Sequence, residues 1–132
     1  MWKGRAEETR RKVDRLERKV AAACKQSGNP WFTRIEDVAS FEGLIGRLGD
    51  YSLVYLADPR GRPFSGAFGH IADPGDVIGI VGPEGGLTEA EMESLASVGA
   101  VKVSLGMNRL RTETSAFLIA SGMILCKKDC ES

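Results

Sequence analysis

At 132 residues, 42% of them hydrophobic and 27% charged, the chain has enough material for one domain with its own core and little room for a second. Eighteen Lys and Arg match eighteen Asp and Glu, which excludes a uniformly basic or acidic protein. No apolar run approaches the roughly 20 residues a membrane span needs, and Met1-Trp2-Lys3-Gly4 leads into a charged stretch, not a signal peptide. Three cysteines, an odd number, point to a reducing compartment, so the expected location is the cytoplasm.

Charge is unevenly spread, with nine Lys and Arg against four Asp and Glu in residues 1–25. Residues 6–26 carry Val13, Leu16, Val20 and Ala23 at three- and four-residue steps, an amphipathic helix with one apolar stripe. Its basic surround suits either RNA phosphates or a solvated face laced with ion pairs such as Asp14 with Arg18. Ser27-Gly28-Asn29-Pro30 ends it, because Gly28 can cap in the left-handed region and Pro30 bars continuation. Trp31 to Ile35 reads as extended, and Asp37 as the cap of a second helix that buries Phe41, Leu44, Ile45 and Leu48. Gly49-Asp50 closes that helix.

Ser52 to Ala57 is an apolar run of strand length, and Asp58-Pro59-Arg60-Gly61-Arg62-Pro63 follows as a loop. Pro74-Gly75 turns the chain into a second strand, Val77 to Val81, which breaks into Gly82-Pro83-Glu84-Gly85-Gly86. Thr88 with Glu91 three residues later forms a capping box for the next helix. Val101 to Leu105 is a third strand, broken by Gly106. A last helix from Thr112 to about Lys127 is expected to bury Phe117, Ile119, Ala120, Met123 and Ile124. The fold class is therefore α/β, a parallel sheet flanked by helices with several strand tips at one end, where open α/β sheets bind ligands.

The glycine loops fit neither common phosphate motif. Gly85-Gly86-Leu87-Thr88 lacks the lysine of a Walker loop, and Gly79-Ile80-Val81-Gly82 places its first glycine inside a strand. Bare backbone beside Leu105 suits a flat, mostly neutral ligand such as an adenosine. No metal site is expected: Cys126 and Cys130 lie four apart, while His70 and Cys24 are far away in sequence. His70, the only histidine, reads as a loop residue. Trp2, Trp31 and Phe32 suit core or dimer packing, or base stacking.

Two separated motifs carry a resemblance. Val81-Gly82-Pro83-Glu84-Gly85-Gly86-Leu87-Thr88 with Glu91, then Ser104-Leu105-Gly106 with Leu110-Arg111-Thr112-Glu113-Thr114, resemble the RsmE family of SPOUT-class methyltransferases. Ala22-Ala23-Cys24-Lys25-Gln26-Ser27 and Pro30 extend the likeness upstream. The resemblance implies S-adenosylmethionine-dependent methylation of a uridine N3 in small-subunit ribosomal RNA. It also implies a homodimer, a C-terminal trefoil knot, and no membrane or metal. Residues 1–132 would form one SPOUT-like domain, with 1–30 as basic helix and turn and 52–128 as the cofactor-binding knot region. The implied cofactor-binding residues are Leu56, Ala57, Gly82, Pro83, Glu84, Gly85, Gly86, Leu105, Gly106 and Leu110. Arg111 would stabilise the uridine anion, with Glu113 or Glu84 accepting or orienting the proton.

The chain departs from the family pattern at three places. Asn108-Arg109 stands where Arg-Ile is usual, which displaces one cation, and Ser115 stands where alanine is usual. The family's RNA-binding barrel, and the first strand and helix of its SPOUT domain, have no counterpart in these 132 residues. An alternative role follows from that departure: a non-catalytic or partner-dependent dimerising remnant with weak or no cofactor binding.

Overall fold

A computed structural model describes residues 2–28, 33–64, 75–106 and 110–130 of the chain. The expectations for Trp31, Phe32, His70, Arg109 and the turn at Pro74 lie outside the described residues. The chain divides into two compact units, Met1–Ser40 and Phe41–Ser132.

The first unit is dominated by helix α1, Trp2–Ser27. Val13 and Val20 are half-buried, while Leu16 of the same apolar stripe is exposed. Lys12 and Glu8 pair at 2.9 Å across one turn, both about two-thirds exposed, so solvent screens the attraction and the pair adds little. The expected Asp14–Arg18 ion pair takes another form: Arg18 Nε donates to the Asp14 main-chain carbonyl at 3.3 Å, as a long side chain one turn on can do. Gly28, at φ +64°, ends the helix as its composition predicts.

In the second unit, helix α2 runs Phe41–Leu48, starting four residues after the expected cap at Asp37. Residues 33–40 are without regular structure, so the apolar spacing of Phe41, Leu44, Ile45 and Leu48, and not the earlier acidic residue, sets where the helix begins. Strands β1 (Leu53–Pro63), β2 (Val77–Ile80) and β3 (Val101–Ser104) form a parallel sheet in the order β2-β1-β3. Leu53 to Leu56 pair with Val77 to Ile80, and Tyr55 to Ala57 with Val101 to Val103.

The central strand is buried on both faces, which is why its sequence is continuously apolar and does not alternate. Val54 and Leu56 pack with Leu48 of α2 and with Leu95 of helix α3, Glu89–Ser97. Tyr55, on the opposite face, packs with Val103 and with Ile119 of helix α4, Thr112–Cys130. The α3 capping box forms as expected: the Glu91 amide donates to Thr88 Oγ1 at 3.2 Å, and the Thr88 amide to Glu91 Oε2 at 2.8 Å. At Gly79 a methyl group would lie 3.1 Å from both Ile119 and Met123, so the missing side chain lets α4 lie close on β2.

Helix α4 corrects one expectation. Ile119 and Met123 face the core, but Phe117 is 71% and Ile124 61% exposed, and Ala120 is exposed as well. Apolar residues lie on two sides of this helix, and the sheet covers only the Ile119 side.

The second correction concerns Asp58 to Pro63, expected to be plain loop. Ala57 and Arg62 both align with Val103, so residues 58–61 leave the ladder and the strand resumes at Arg62-Pro63. Gly61 makes that return feasible, because a Cβ there would lie 2.5 Å from the Lys102 and Val103 backbone. Asp58, only 7% exposed, holds the excursion together. Its Oδ1 accepts the Arg60 amide at 2.9 Å and Arg60 Nε at 3.2 Å, its Oδ2 accepts Arg60 Nη2 at 3.2 Å, and Lys102 Nζ lies 3.9 Å away. The Arg60 hydrogen bonds hold the carboxyl below the usual aspartate range despite its burial, which acts the other way.

Two outcomes are expected. Gly61→Ala should destabilise the chain by about 1–3 kcal/mol in urea unfolding, since the atoms it meets are backbone and cannot turn aside. Asp58, with a folded-state pKa below its unfolded value, contributes stability that is present above about pH 4 and lost as pH falls through the folded pKa. Asp58→Asn should therefore lower the urea midpoint at pH 7, and the gap from wild type should close as pH drops below about 4.

Candidate functional site

The tips of all three strands and the start of α4 surround one cavity of about 660 Å³, within the roughly 300–1,000 Å³ of small-molecule sites. Ala57, Asp58, Pro59 and Arg60 of β1 form one wall. Val81, Gly82, Pro83, Glu84, Gly86 and Leu87 after β2 form another, with Met92 of α3 behind them. Leu105 and Gly106 after β3, and Leu110, Thr112 and Ser115 at the start of α4, complete it.

Backbone conformation keeps this cavity open. Pro83 to Gly86 is a tight turn in which the Gly86 amide donates to the Pro83 carbonyl at 2.9 Å. Gly86 at φ +79° and Gly106 at φ +144° adopt conformations that side-chain-bearing residues avoid, and a Cβ at either would meet nothing within 4 Å. Main-chain groups are therefore presented to the cavity without side chains in the way. Thr112 Oγ1 donates to the Gly82 carbonyl at 3.3 Å, which ties the start of α4 to the β2 turn across thirty residues of sequence.

Of the residues singled out by sequence, Ala57, Gly82, Pro83, Glu84, Gly86, Leu105, Gly106 and Leu110 converge on the cavity. Leu56 is buried in the core beneath it, and Gly85 is exposed in the turn outside the lining. Glu84 lies at the surface of the cavity wall. Arg111 and Glu113 are exposed and outside the lining, although Leu110 and Thr112, which flank Arg111, are part of it. Pro59, Arg60 and Met92 line the cavity without having been singled out by sequence, and Val81, Leu87, Thr112 and Ser115 line it although the motifs had named them without a site role. The Asp-Pro-Arg-Gly run was the available signal for the β1 wall, since it sits at a strand tip like the two glycine loops.

An adenosine-bearing methyl donor fits this residue set. The inner wall is apolar and bare backbone, as a flat, largely neutral ring system requires, and the charged side chains Asp58, Arg60 and Glu84 stand on the walls from β1 and β2. No helix among the described residues is long and apolar enough to cross a membrane.

Comparison with known proteins agrees. Residues 3–124 match the family model of the RNA methyltransferase domain. Ribosomal RNA small subunit methyltransferase E of Bacillus subtilis is 31% identical over 120 residues, covering 86% of this chain and 47% of that protein. A Legionella pneumophila methyltransferase solved with S-adenosylmethionine superposes with a TM-score of 0.77 at 26% identity, covering 88% of this chain and 47% of its own. The ribosomal RNA small subunit methyltransferase E of Neisseria gonorrhoeae, bound to S-adenosylmethionine, gives a TM-score of 0.66 at 26% identity, covering 89% and 49%. The chain thus spans about half the length of these relatives, and it shares their SPOUT-type α/β architecture. By its sequence over residues 3–124, its fold and the cavity at its strand tips, the chain belongs to the RNA methyltransferase domain family.

Proposed function

We propose that the chain is an S-adenosylmethionine-dependent methyltransferase acting on a uridine N3 of small-subunit ribosomal RNA in the cytoplasm. The observation that carries this is the cavity whose walls are the Gly82–Gly86 turn, Leu105-Gly106 and the start of α4, open where glycine replaces side chains. That openness weighs against the alternative of a non-catalytic remnant. Relatives of the same fold bind S-adenosylmethionine, and the two sequence motifs lie on the cavity.

In this mechanism Gly82, Pro83, Gly86, Leu105, Gly106 and Leu110 hold the donor through main-chain groups and apolar contact. When bound, S-adenosylmethionine supplies an electrophilic methyl group. Val81, Leu87 and Leu105 keep water from the inner wall. Uridine N3 carries a proton at neutral pH, so a base must take it as the ring nitrogen becomes a nucleophile. Glu84, on the cavity wall, is the proton acceptor; Glu113, outside it, sits in the first turn of α4, where its charge favours the helix dipole. Arg111, between two lining residues, balances the charge that develops on the uridine ring.

The chain works as a homodimer with a C-terminal trefoil knot in this proposal. Support for the dimer is the outer stripe of α4, where Phe117, Ala120 and Ile124 share one face at helical spacing and stay exposed. Apolar side chains in such numbers on one helix face favour a protein surface over water.

Three measurements test the proposal. Arg111→Ala should lower single-turnover methyl transfer about 10²–10³-fold, and Glu84→Gln about 10²–10⁴-fold, while calorimetric affinity for S-adenosylmethionine is retained in the Arg111 variant. Full methyl transfer by Arg111→Ala would remove its assigned role, and absence of heat from wild type would remove the cofactor. Phe117→Glu should convert a dimer to a monomer in sedimentation equilibrium, and an unchanged mass would place the interface elsewhere.

A further inference from the structure

The mechanism above uses the apolar and glycine walls of the cavity and Glu84, but not the charged wall contributed by β1. There Asp58 is 6% exposed by side chain, and two cations face it: Arg60, through Nε and Nη2 at 3.2 Å, and Lys102 at 3.9 Å. One carboxylate against two cations leaves the cluster one positive charge in surplus, and Arg60 is the one of the two that lines the cavity. The Arg60 side chain is 79% exposed even though one edge of its guanidinium is fixed. Asp58 satisfies Nε and one Nη2 hydrogen, so the Nη1 edge is held at a set angle with donors to spare. A surface arginine usually spends rotamer entropy when it binds a ligand, and here Asp58 and the Gly61 return have spent it in advance.

We propose that Arg60, positioned by Asp58, is a contact for the phosphodiester backbone of the RNA strand whose base enters the cavity. This rests on the proposed function, and it adds a residue that sets how the strand lies across the site. The anion belongs to the strand and not to the carboxylate of the methyl donor, because Arg60 is largely in solvent while the inner lining is neutral. The mouth is also polarised: the β1 wall carries Arg60 and the turn after β2 carries Glu84. A nucleotide bridging the mouth is therefore oriented, with its phosphate toward Arg60 and its ring N–H toward Glu84.

The test uses the full 132-residue chain and a short single-stranded oligouridylate, with affinity followed by fluorescence anisotropy over a range of KCl concentrations. Three proteins are compared with wild type: Arg60→Gln, Arg60→Lys, and the double variant Asp58→Asn with Arg60→Gln. The double variant removes the buried charge together with its partner, so a folded protein is available even if Arg60→Gln alone unfolds. The expected result is a salt slope shallower by about 0.7 in both glutamine variants, the loss of one single-strand phosphate contact. Affinity at low salt should fall roughly threefold to fivefold, Arg60→Lys should restore the slope, and calorimetric affinity for S-adenosylmethionine should be unchanged. An unchanged slope overturns the proposal, and so does an unchanged slope with weakened cofactor binding, which would assign the anion to the donor's carboxylate. Absence of oligouridylate binding by wild type overturns it too. Failure of the methyltransferase reading shows separately, as wild type giving no heat with S-adenosylmethionine while the slope comparison still stands.

Discussion

Burial of β1 on both faces is the constraint from which the rest of the structure follows. Val54 and Leu56 are covered by Leu48 and Leu95, and Tyr55 by Val103 and Ile119, so the central strand offers a ligand neither of its faces. A parallel sheet covered in this way leaves its strand ends as the place where backbone groups remain unpaired. All three strands run the same way, so their tips coincide, and the helix that seals one face also begins at that end. The cavity is thus a product of topology before any residue in it is chosen. The chosen residues then decide its chemistry: glycines and proline where main chain must be bare, leucines where water must be kept out.

The Thr112 hydrogen bond to Gly82 and the close fit of Gly79 beneath Ile119 and Met123 join the two halves of that site. Both act on the same pair, β2 and α4. One fixes the mouth and the other the floor, so a shift of α4 along β2 would disturb the glycine turn and the position of Arg111 together. Substituting Gly79 would consequently be felt at the cavity even though the residue does not line it.

Much of this was legible in the sequence, for physical reasons that can be named. A strand that ends in glycine is a local signal, because only glycine tolerates the backbone that Gly86 and Gly106 adopt, and both were singled out. The capping box at Thr88 and Glu91 is equally local and formed as read. What stayed hidden depends on distant partners. The six residues from Asp58 to Pro63 contain two prolines and a glycine, so they read as loop, and only the Lys102-Val103 backbone beneath Gly61 shows that the strand resumes. Helix α4 carries apolar residues on two sides, and periodicity alone gives no means of choosing which side the sheet would take. Arg60 was overlooked because an arginine beside proline and glycine looks like surface until Asp58 is known to be buried next to it.

The Asp58 cluster is also where stability and function are hardest to separate. A buried carboxylate is costly to desolvate, and a pair this close to solvent gains little from charge attraction alone. Packing could have closed the excursion with an apolar residue, as β1 does everywhere below Ala57. A carboxylate at this position gains meaning only when its partners are considered, because it accepts both the amide and the side chain of Arg60 and so fixes a loop and a cation with one group. The excursion places that cation on the cavity wall, in a segment that leaves the ladder before the strand resumes at Arg62. The bulge, the buried acid and the exposed arginine are therefore one device, and its position at the mouth of the cavity is better explained by a ligand's charge than by the needs of the sheet.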